Sequence, residues 1–208
     1  MTTSKDVPKD NKLYGTKDYW EQRYQQEATT TYDWLKTYKD LKPFFETCLG
    51  DRSASMLMLG CGNSSISEDM YDDGYHSITN VDFSGSVIEN MAKRCVDRTD
   101  MKWMEMDVRK LEFQDNTFDI VLDKATLDTF FVDCGDVWNP KESVLADVKA
   151  EVDEALRVLK VGGKFVIISF GQPHFRKQYI KREQWEDIKV STIGDFFGYF
   201  IYEMTKIA

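Results

Sequence analysis

The chain contains only two histidines, His76 and His174, and four scattered cysteines, Cys48, Cys61, Cys95 and Cys134, none arranged as C-x-x-C. Zinc sites need clustered Cys and His ligands, so the pattern excludes a zinc module. No run of about 18 apolar residues occurs, so a membrane-spanning helix is not expected. The start, MTTSKDVPKDNK, has no apolar core of the kind an export signal carries. With the scattered cysteines, this leads to an expected reducing compartment, the cytosol. Basic residues are outnumbered: 27 Lys plus Arg face 36 Asp plus Glu, a formal charge of -9. That balance disfavours direct nucleic-acid binding through phosphate contacts. It suits a basic protein partner, because opposite potentials speed encounter. No internal repeat or low-complexity stretch is visible.

A length of 208 residues fits one domain, large enough to bury roughly 70% of its unfolded surface. Residues 1–13 are polar and are expected to form a flexible tail. Helices are expected over 16–26, with Thr16 as N-cap, and over 34–48, with a kink or break at Pro43. From residue 55 the pattern changes. Met56-Leu57-Met58-Leu59 is a short continuous apolar run, as in a strand covered on both faces. Further strands are expected at 77–82, 102–107, 118–123 and 164–170, with helices at 64–73, 84–97 and 141–159 between them. Gly162-Gly163 is expected to stop the long helix. Alternation of strand and helix predicts an α/β, Rossmann-like, mostly parallel sheet with helices on both faces. Two strand-like runs, 188–193 and 199–205, are separated by too few residues for a helical crossover, so they should pair antiparallel.

The turn after the first strand reads Gly60-Cys61-Gly62-Asn63-Ser64-Ser65. Glycines there let a ligand approach the backbone, and the following helix start offers free N–H groups. A dinucleotide fingerprint would need a third small residue where Ser65 stands. A P-loop would need Gly-Lys-Ser/Thr. Asp82 follows Gly60 by 22 residues, at the end of the second strand, a distance that suits a ribose diol. Phe83 is placed to stack on an adenine. Asp107 and Val108 stand at the same rim, where Asp107 can accept from an exocyclic amine. Three strand ends thus converge on one crevice, where open α/β sheets bind ligands. Cys61 sits beside a helix start, but with no base partner its expected role is packing.

Seven motifs carry a family resemblance: YWEQRY at 19–24, YDW at 32–34, LGCGNS at 59–64, VDFS at 81–84, MDVRKLEF at 106–113, FDIVLDKATLD at 118–128 and RVLKVGGKF at 157–165. The chain resembles the seven-strand S-adenosylmethionine-dependent methyltransferases. Within them it is most similar to the eukaryotic group that methylates lysine on translation elongation factor 1-alpha. The resemblance implies a single methyltransferase domain over 14–208, with a helical cover at 14–50 and a Rossmann-like core at 55–208. It implies S-adenosyl-L-methionine as cofactor and elongation factor 1-alpha as protein substrate. It implies that Trp20, Tyr24 and Trp34 close over the cofactor, although three such aromatics are also ordinary core residues. It further implies cofactor contacts from Gly60, Gly62, Asn63, Asp82, Phe83, Asp107, Val108 and Lys124. Asp123 and Asp128 are the candidates for positioning the acceptor; Asp133, Asp136 and Glu142 read better as solvated loop acids. Two positions depart from the pattern. Met58 stands where many members have an acid, and Ala125 where relatives often have glycine. His174 is open between a loop role and a place at the acceptor mouth. A small-molecule methyltransferase and a cofactor-binding scaffold without catalysis are the competing readings. A monomer is expected, with no heptad seam in view.

Overall fold

The structure is a computed structural model that describes residues 7–194 and 198–208. Most of the loop between the last two strands, at 195–197, and the first six residues of the expected tail lie outside these residues. A 3-10 turn over Asn11–Gly15 overlaps the end of that tail. The elements follow as α1 (Lys17–Gln26), α2 (Tyr38–Cys48), β1 (Met56–Leu59), α3 (Ile66–Asp72), β2 (Ile78–Asp82), α4 (Gly85–Arg94), β3 (Lys102–Glu105), β4 (Phe118–Lys124) and α5 (Thr126–Phe130). A small hairpin of β5 (Gly135–Asp136) and β6 (Asn139–Pro140) comes next. Then follow α6 (Glu142–Val158), β7 (Leu159–Ser169), α7 (Pro173–Ile180), β8 (Lys189–Ile193) and β9 (Tyr199–Thr205).

The main sheet has seven strands in the order β3-β2-β1-β4-β7-β9-β8. β1, β2, β3, β4 and β7 run parallel, and β9 joins antiparallel to both β7 and β8. The continuous apolar run of β1 is explained by burial on both faces. Leu57 and Leu59 enter one core with Val121, Phe165 and the α6 residues Val148 and Val152. Met56 and Met58 enter the opposite core with Ile120, Val166 and the α2 residues Leu41 and Phe45. Successive side chains point to opposite faces, so a strand with helices on both sides is apolar at every position.

Three differences from the sequence reading have clear causes. α2 starts at Tyr38 rather than at residue 34, because Thr37 and Asp40 form a capping box. It then continues through Pro43, which interrupts nothing visible in the helix. Gly162 and Gly163 do not end α6. The helix stops at Val158, and both glycines lie inside β7, where pairing with β4 shifts register between Phe118–Leu159 and Ile120–Lys164. Such a bulge is a common place for glycine in a strand. His174, open to a loop role in the sequence, stands instead in helix α7, because proline fits the first turn of a helix and Pro173 stands there. No helix among the described residues is long and apolar enough to cross a membrane.

Candidate functional site

Chain order reverses between β1 and β4: the chain leaves β1 for β2 and β3 on one side, then returns to β4 on the other. Ligand crevices form at that point, outside the carboxyl ends of the strands. A cavity of about 600 Å³ lies there, within the usual span for a small-ligand site. Its floor is the Gly60–Ser64 loop, and its far wall is Lys124, Ala125, Thr126 and Asp128. Phe83, Asp107 and Val108 close one end. Trp20, Tyr24 and Trp34 come from the N-terminal segment.

The loop bends back in the left-handed region at Gly60 (φ 53°) and Gly62 (φ 52°). At Gly60 a Cβ would lie 2.2 Å from Oγ1 of Thr126. That hydroxyl donates to the carbonyls of Leu59 and Gly60 and ties α5 to the loop. Asp82 differs from its expected place. It is buried and is not among the cavity-lining residues. Its carboxylate accepts the Gly62 N–H at 3.0 Å and the Ser84 N–H at 2.9 Å. Burial pushes it up to about 6, against those two hydrogen bonds. In this structure Asp82 shapes the glycine loop from behind. Asp107 is on the wall, held low by Arg109, which bridges it to Asp147.

The N-terminal segment is pinned to the loop by polar contacts that sequence reading missed. Asp33 accepts from the hydroxyls of Ser64 and Ser65 and from Lys124, 3.3 Å away. Lys124 also donates to the Trp34 carbonyl at 3.0 Å. Burial pulls its ammonium below the ordinary value, and Asp33 opposes that shift. Asn63 donates to Glu27 and to the Thr30 carbonyl. The motif YDW at 32–34 contained the signal: the acid between the two aromatics is the hub. Trp20 and Tyr24 stack with ring centroids 5.5 Å apart, and Trp34 meets Trp20 edge-on. The three aromatics therefore pack with one another and also line the cavity.

The two expected acceptor carboxylates do different things. Asp123 is fully buried, is not among the lining residues, and accepts the N–H groups of Thr126 and Leu127 at the start of α5. Successive residues of a strand face opposite sides, so with Lys124 turned to the cavity its neighbour Asp123 turns away from it. Asp128 does line the cavity. Its oxygens accept from Ser169 at 2.5 Å, from the Phe170 N–H at 3.1 Å and from Arg176 at 2.7 Å. Arg176 belongs to α7, so its role could not be seen without that helix. Ala125 sits at φ 72°. An L-residue pays about 1–2 kcal/mol for that region, and glycine does not. Ala125 is thus a strained position on the cavity wall. Cys61 is buried, and burial pushes its thiol up, away from nucleophilic chemistry. His174 is exposed on α7, stacked on Trp138, and is not among the lining residues. Asp133 pairs with Lys12 and Lys141 at the surface, and Asp136 caps the turn at Trp138.

Glu151, on α6, is fully buried beside Asp123, and the two carboxyl groups can share a hydrogen bond only when one of them is protonated. Burial and then the Asp123 charge raise Glu151 well above the usual carboxylate range. Asp123 already accepts two backbone N–H groups, so Glu151 is the partner that keeps the proton. A group with a raised folded pKa favours folding fully below its unfolded value, about 4.3. That contribution is lost as pH rises toward the folded pKa, at about 1.4 kcal/mol per pH unit. Glu151→Gln cannot ionise and keeps a donor toward Asp123. Its stability relative to wild type should therefore grow between pH 5 and pH 8 in urea unfolding. A difference that stays constant with pH would show that Glu151 does not titrate in this way.

Comparison with known proteins agrees with this architecture. A methyltransferase domain model matches residues 57–167, more than half of the chain. The chain belongs to the methyltransferase domain family. Among curated relatives, EEF1A lysine methyltransferase 4 of Mus musculus is 32% identical over 205 residues, covering 97% of this chain and 79% of that protein. The eEF1A lysine and N-terminal methyltransferase of Mus musculus is 39% identical over 183 residues, 86% of this chain. The chain spans only 25% of that longer relative. Among solved structures, the N-methyltransferase NodS of Bradyrhizobium japonicum, in complex with S-adenosyl-L-homocysteine, superposes with a TM-score of 0.66 at 14% identity. That match covers 90% of this chain and 98% of NodS, and at this identity it shows the fold.

Proposed function

We propose that the protein is an S-adenosylmethionine-dependent protein-lysine N-methyltransferase acting on translation elongation factor 1-alpha. One observation carries the reading. The relative named EEF1A lysine methyltransferase 4 is matched over 97% of this chain and 79% of its own length, and the shared region contains the whole cavity. The cavity suits the cofactor chemically. It offers aromatic faces at Phe83 and Trp20, a carboxylate at Asp107 and a glycine loop at a helix start. Gly60, Gly62 and Asn63 would hold the methionine part, Phe83, Asp107 and Val108 the nucleoside, and Trp20, Tyr24, Trp34 and Lys124 the covering side. Asp82 would act through the loop that it shapes. S-adenosylmethionine supplies a methyl group already activated on sulfonium.

The chain's own task is to align the acceptor in line with that methyl, exclude water and receive a neutral amine. A free lysine has a pKa of about 10.4, so neutralising it at pH 7 costs about 4.6 kcal/mol. Phe130, Phe170 and Tyr199 on the wall disfavour the ammonium by desolvation. Asp128 sits on the same wall with its charge balanced by Arg176, so it does not counter that effect strongly. Action as a monomer in the cytoplasm belongs to the same proposal.

The test is transfer of labelled methyl from S-adenosylmethionine to purified elongation factor 1-alpha, followed by mapping of the label. Label on one lysine is expected, and it should fall at least tenfold with Asp107→Ala, which removes a wall carboxylate. Label confined to small molecules of a cytosolic extract would replace this reading with a small-molecule methyltransferase. Cofactor binding with no transfer to any acceptor would leave a scaffold.

A further inference from the structure

Phe170 lines the cavity and is 54% exposed, so the cavity wall continues onto the outer surface at the end of β7. The chain then enters α7, whose first turn carries His174 and Phe175. Against them stands Trp138, at the tip of the β5–β6 hairpin. Its ring lies 4.7 Å from Phe175, edge-on, and 6.0 Å from His174, stacked. Trp138 is nevertheless 72% exposed, and Val137 beside it is 50% exposed. A tryptophan left this open gains little for folding, while its area is large and its rotamers few. Nothing in the cavity needs it, since Trp138, His174 and Phe175 are not among the lining residues.

We propose that this aromatic platform, Trp138 with His174 and Phe175, is the docking surface for the protein substrate, and that its occupant is a basic, lysine-bearing protein face. The inference rests on the protein-lysine reading above. Charge favours that occupant. The chain carries a net -9. The hairpin is flanked by Asp136 and Glu142, which are exposed and form no ion pair among the described residues. The neighbouring cation Lys141 is already bound to Asp133. Lys177, on α7, is also exposed, but the two unpaired carboxylates outnumber it. An exposed aromatic anchor beside them fits a basic partner: the ring gives burial on contact, and the carboxylates steer the approach. Phe170, which lines the cavity, precedes His174 by only four residues in the chain, and this gives the direction in which a docked lysine would reach the cavity.

The experiment compares wild type with Trp138→Ala, using elongation factor 1-alpha and a short peptide carrying its labelled lysine. For the whole protein, KM should rise about tenfold or more while kcat stays within twofold, the loss expected on truncating a central aromatic anchor. For the peptide, which does not reach the platform, the two enzymes should match. Affinity for S-adenosyl-L-homocysteine and the urea midpoint should also match, which excludes misfolding. A charge-reversing pair, Asp136→Lys with Glu142→Lys, should raise KM for the whole protein and flatten its salt dependence. If wild type itself labels no lysine of elongation factor 1-alpha, the protein-lysine reading fails first and takes this proposal with it. If wild type transfers and Trp138→Ala matches it on whole protein, the docking surface alone is refuted. If sedimentation shows a wild-type dimer that Trp138→Ala dissociates, the occupant is a second copy of the chain and the proposal is overturned.

Discussion

Arg176→Met should lower the stability of the protein by about 3–5 kcal/mol, the cost of leaving a buried charge without its partner. Arg176 and Asp128 are each at most 5% exposed in their side chains and meet at 2.7 Å. The guanidinium also lies 3.8 Å from the Phe131 ring centroid. Removing it strands the Asp128 carboxylate with only the Ser169 hydroxyl and the Phe170 N–H. Asp128→Asn should cost less, because the amide oxygen can still accept from Arg176 and Ser169, and the stranded guanidinium keeps the face of Phe131. The double variant Arg176→Met with Asp128→Asn should recover part of the loss, since residues in contact are not additive. Urea midpoints of the four proteins decide the matter. A stability for Arg176→Met within about 1 kcal/mol of wild type, a surface-like effect, would mean that the pair does not hold α7 to α5.

Gly60→Ala should weaken cofactor binding by more than tenfold. The φ of 53° alone costs an L-residue about 1–2 kcal/mol. The new methyl group would stand 2.2 Å from Thr126 Oγ1 and 2.9 Å from its Cβ. Thr126 must then leave the carbonyls of Leu59 and Gly60, and overpacking of this kind costs about 1–3 kcal/mol more. Both costs fall on the loop that forms the cavity floor. Gly50→Ala is the control: its φ is 71°, but a Cβ there meets nothing within 4 Å. It should destabilise by the backbone cost alone and leave affinity unchanged. Titration calorimetry with S-adenosyl-L-homocysteine reads both. Equal affinity for Gly60→Ala and wild type would remove the loop from the binding site.

The fold was largely legible because its strongest signal is local. Met56–Leu59 has apolar residues at every position, and such a run needs cover on both faces. The final pair, at 189–193 and 199–205, is joined by a connection too short for a helix, and that alone fixes it as antiparallel. Where reading failed, two local signals competed. Gly162-Gly163 resembles a helix stop, yet here it serves a bulge. Pro173 resembles a loop, yet it begins a helix. The choice between such uses depends on what the segment packs against.

The site was legible to a similar depth. Eleven cofactor contacts were expected, and all but Asp82 line the cavity. Gly60, Phe83, Asp107 and Val108 could be read from strand ends, whose place in a parallel sheet follows from the alternation of elements; Trp20, Tyr24, Trp34, Gly62, Asn63 and Lys124 came from the family resemblance. The sequence could not say which way a side chain at a strand end turns. Asp82 and Asp123 both turn inward to hold backbone N–H groups, because a buried carboxylate needs donors and the adjacent turns supply them.

Taken by itself, then, the sequence determined the order of the seven main strands in the chain, the parallel sheet with its antiparallel close and the strand ends that form the crevice, all consequences of periodicity and turn chemistry within about 20 residues. Only the tertiary structure decided the partners that lie far apart in the chain. Asp33 reaches Lys124 across 91 positions, and Arg176 reaches Asp128 across 48. Ion pairs and hydrogen bonds depend on distances of about 3 Å, and no spacing in a sequence specifies such a distance until the sheet has brought its edges and loops together.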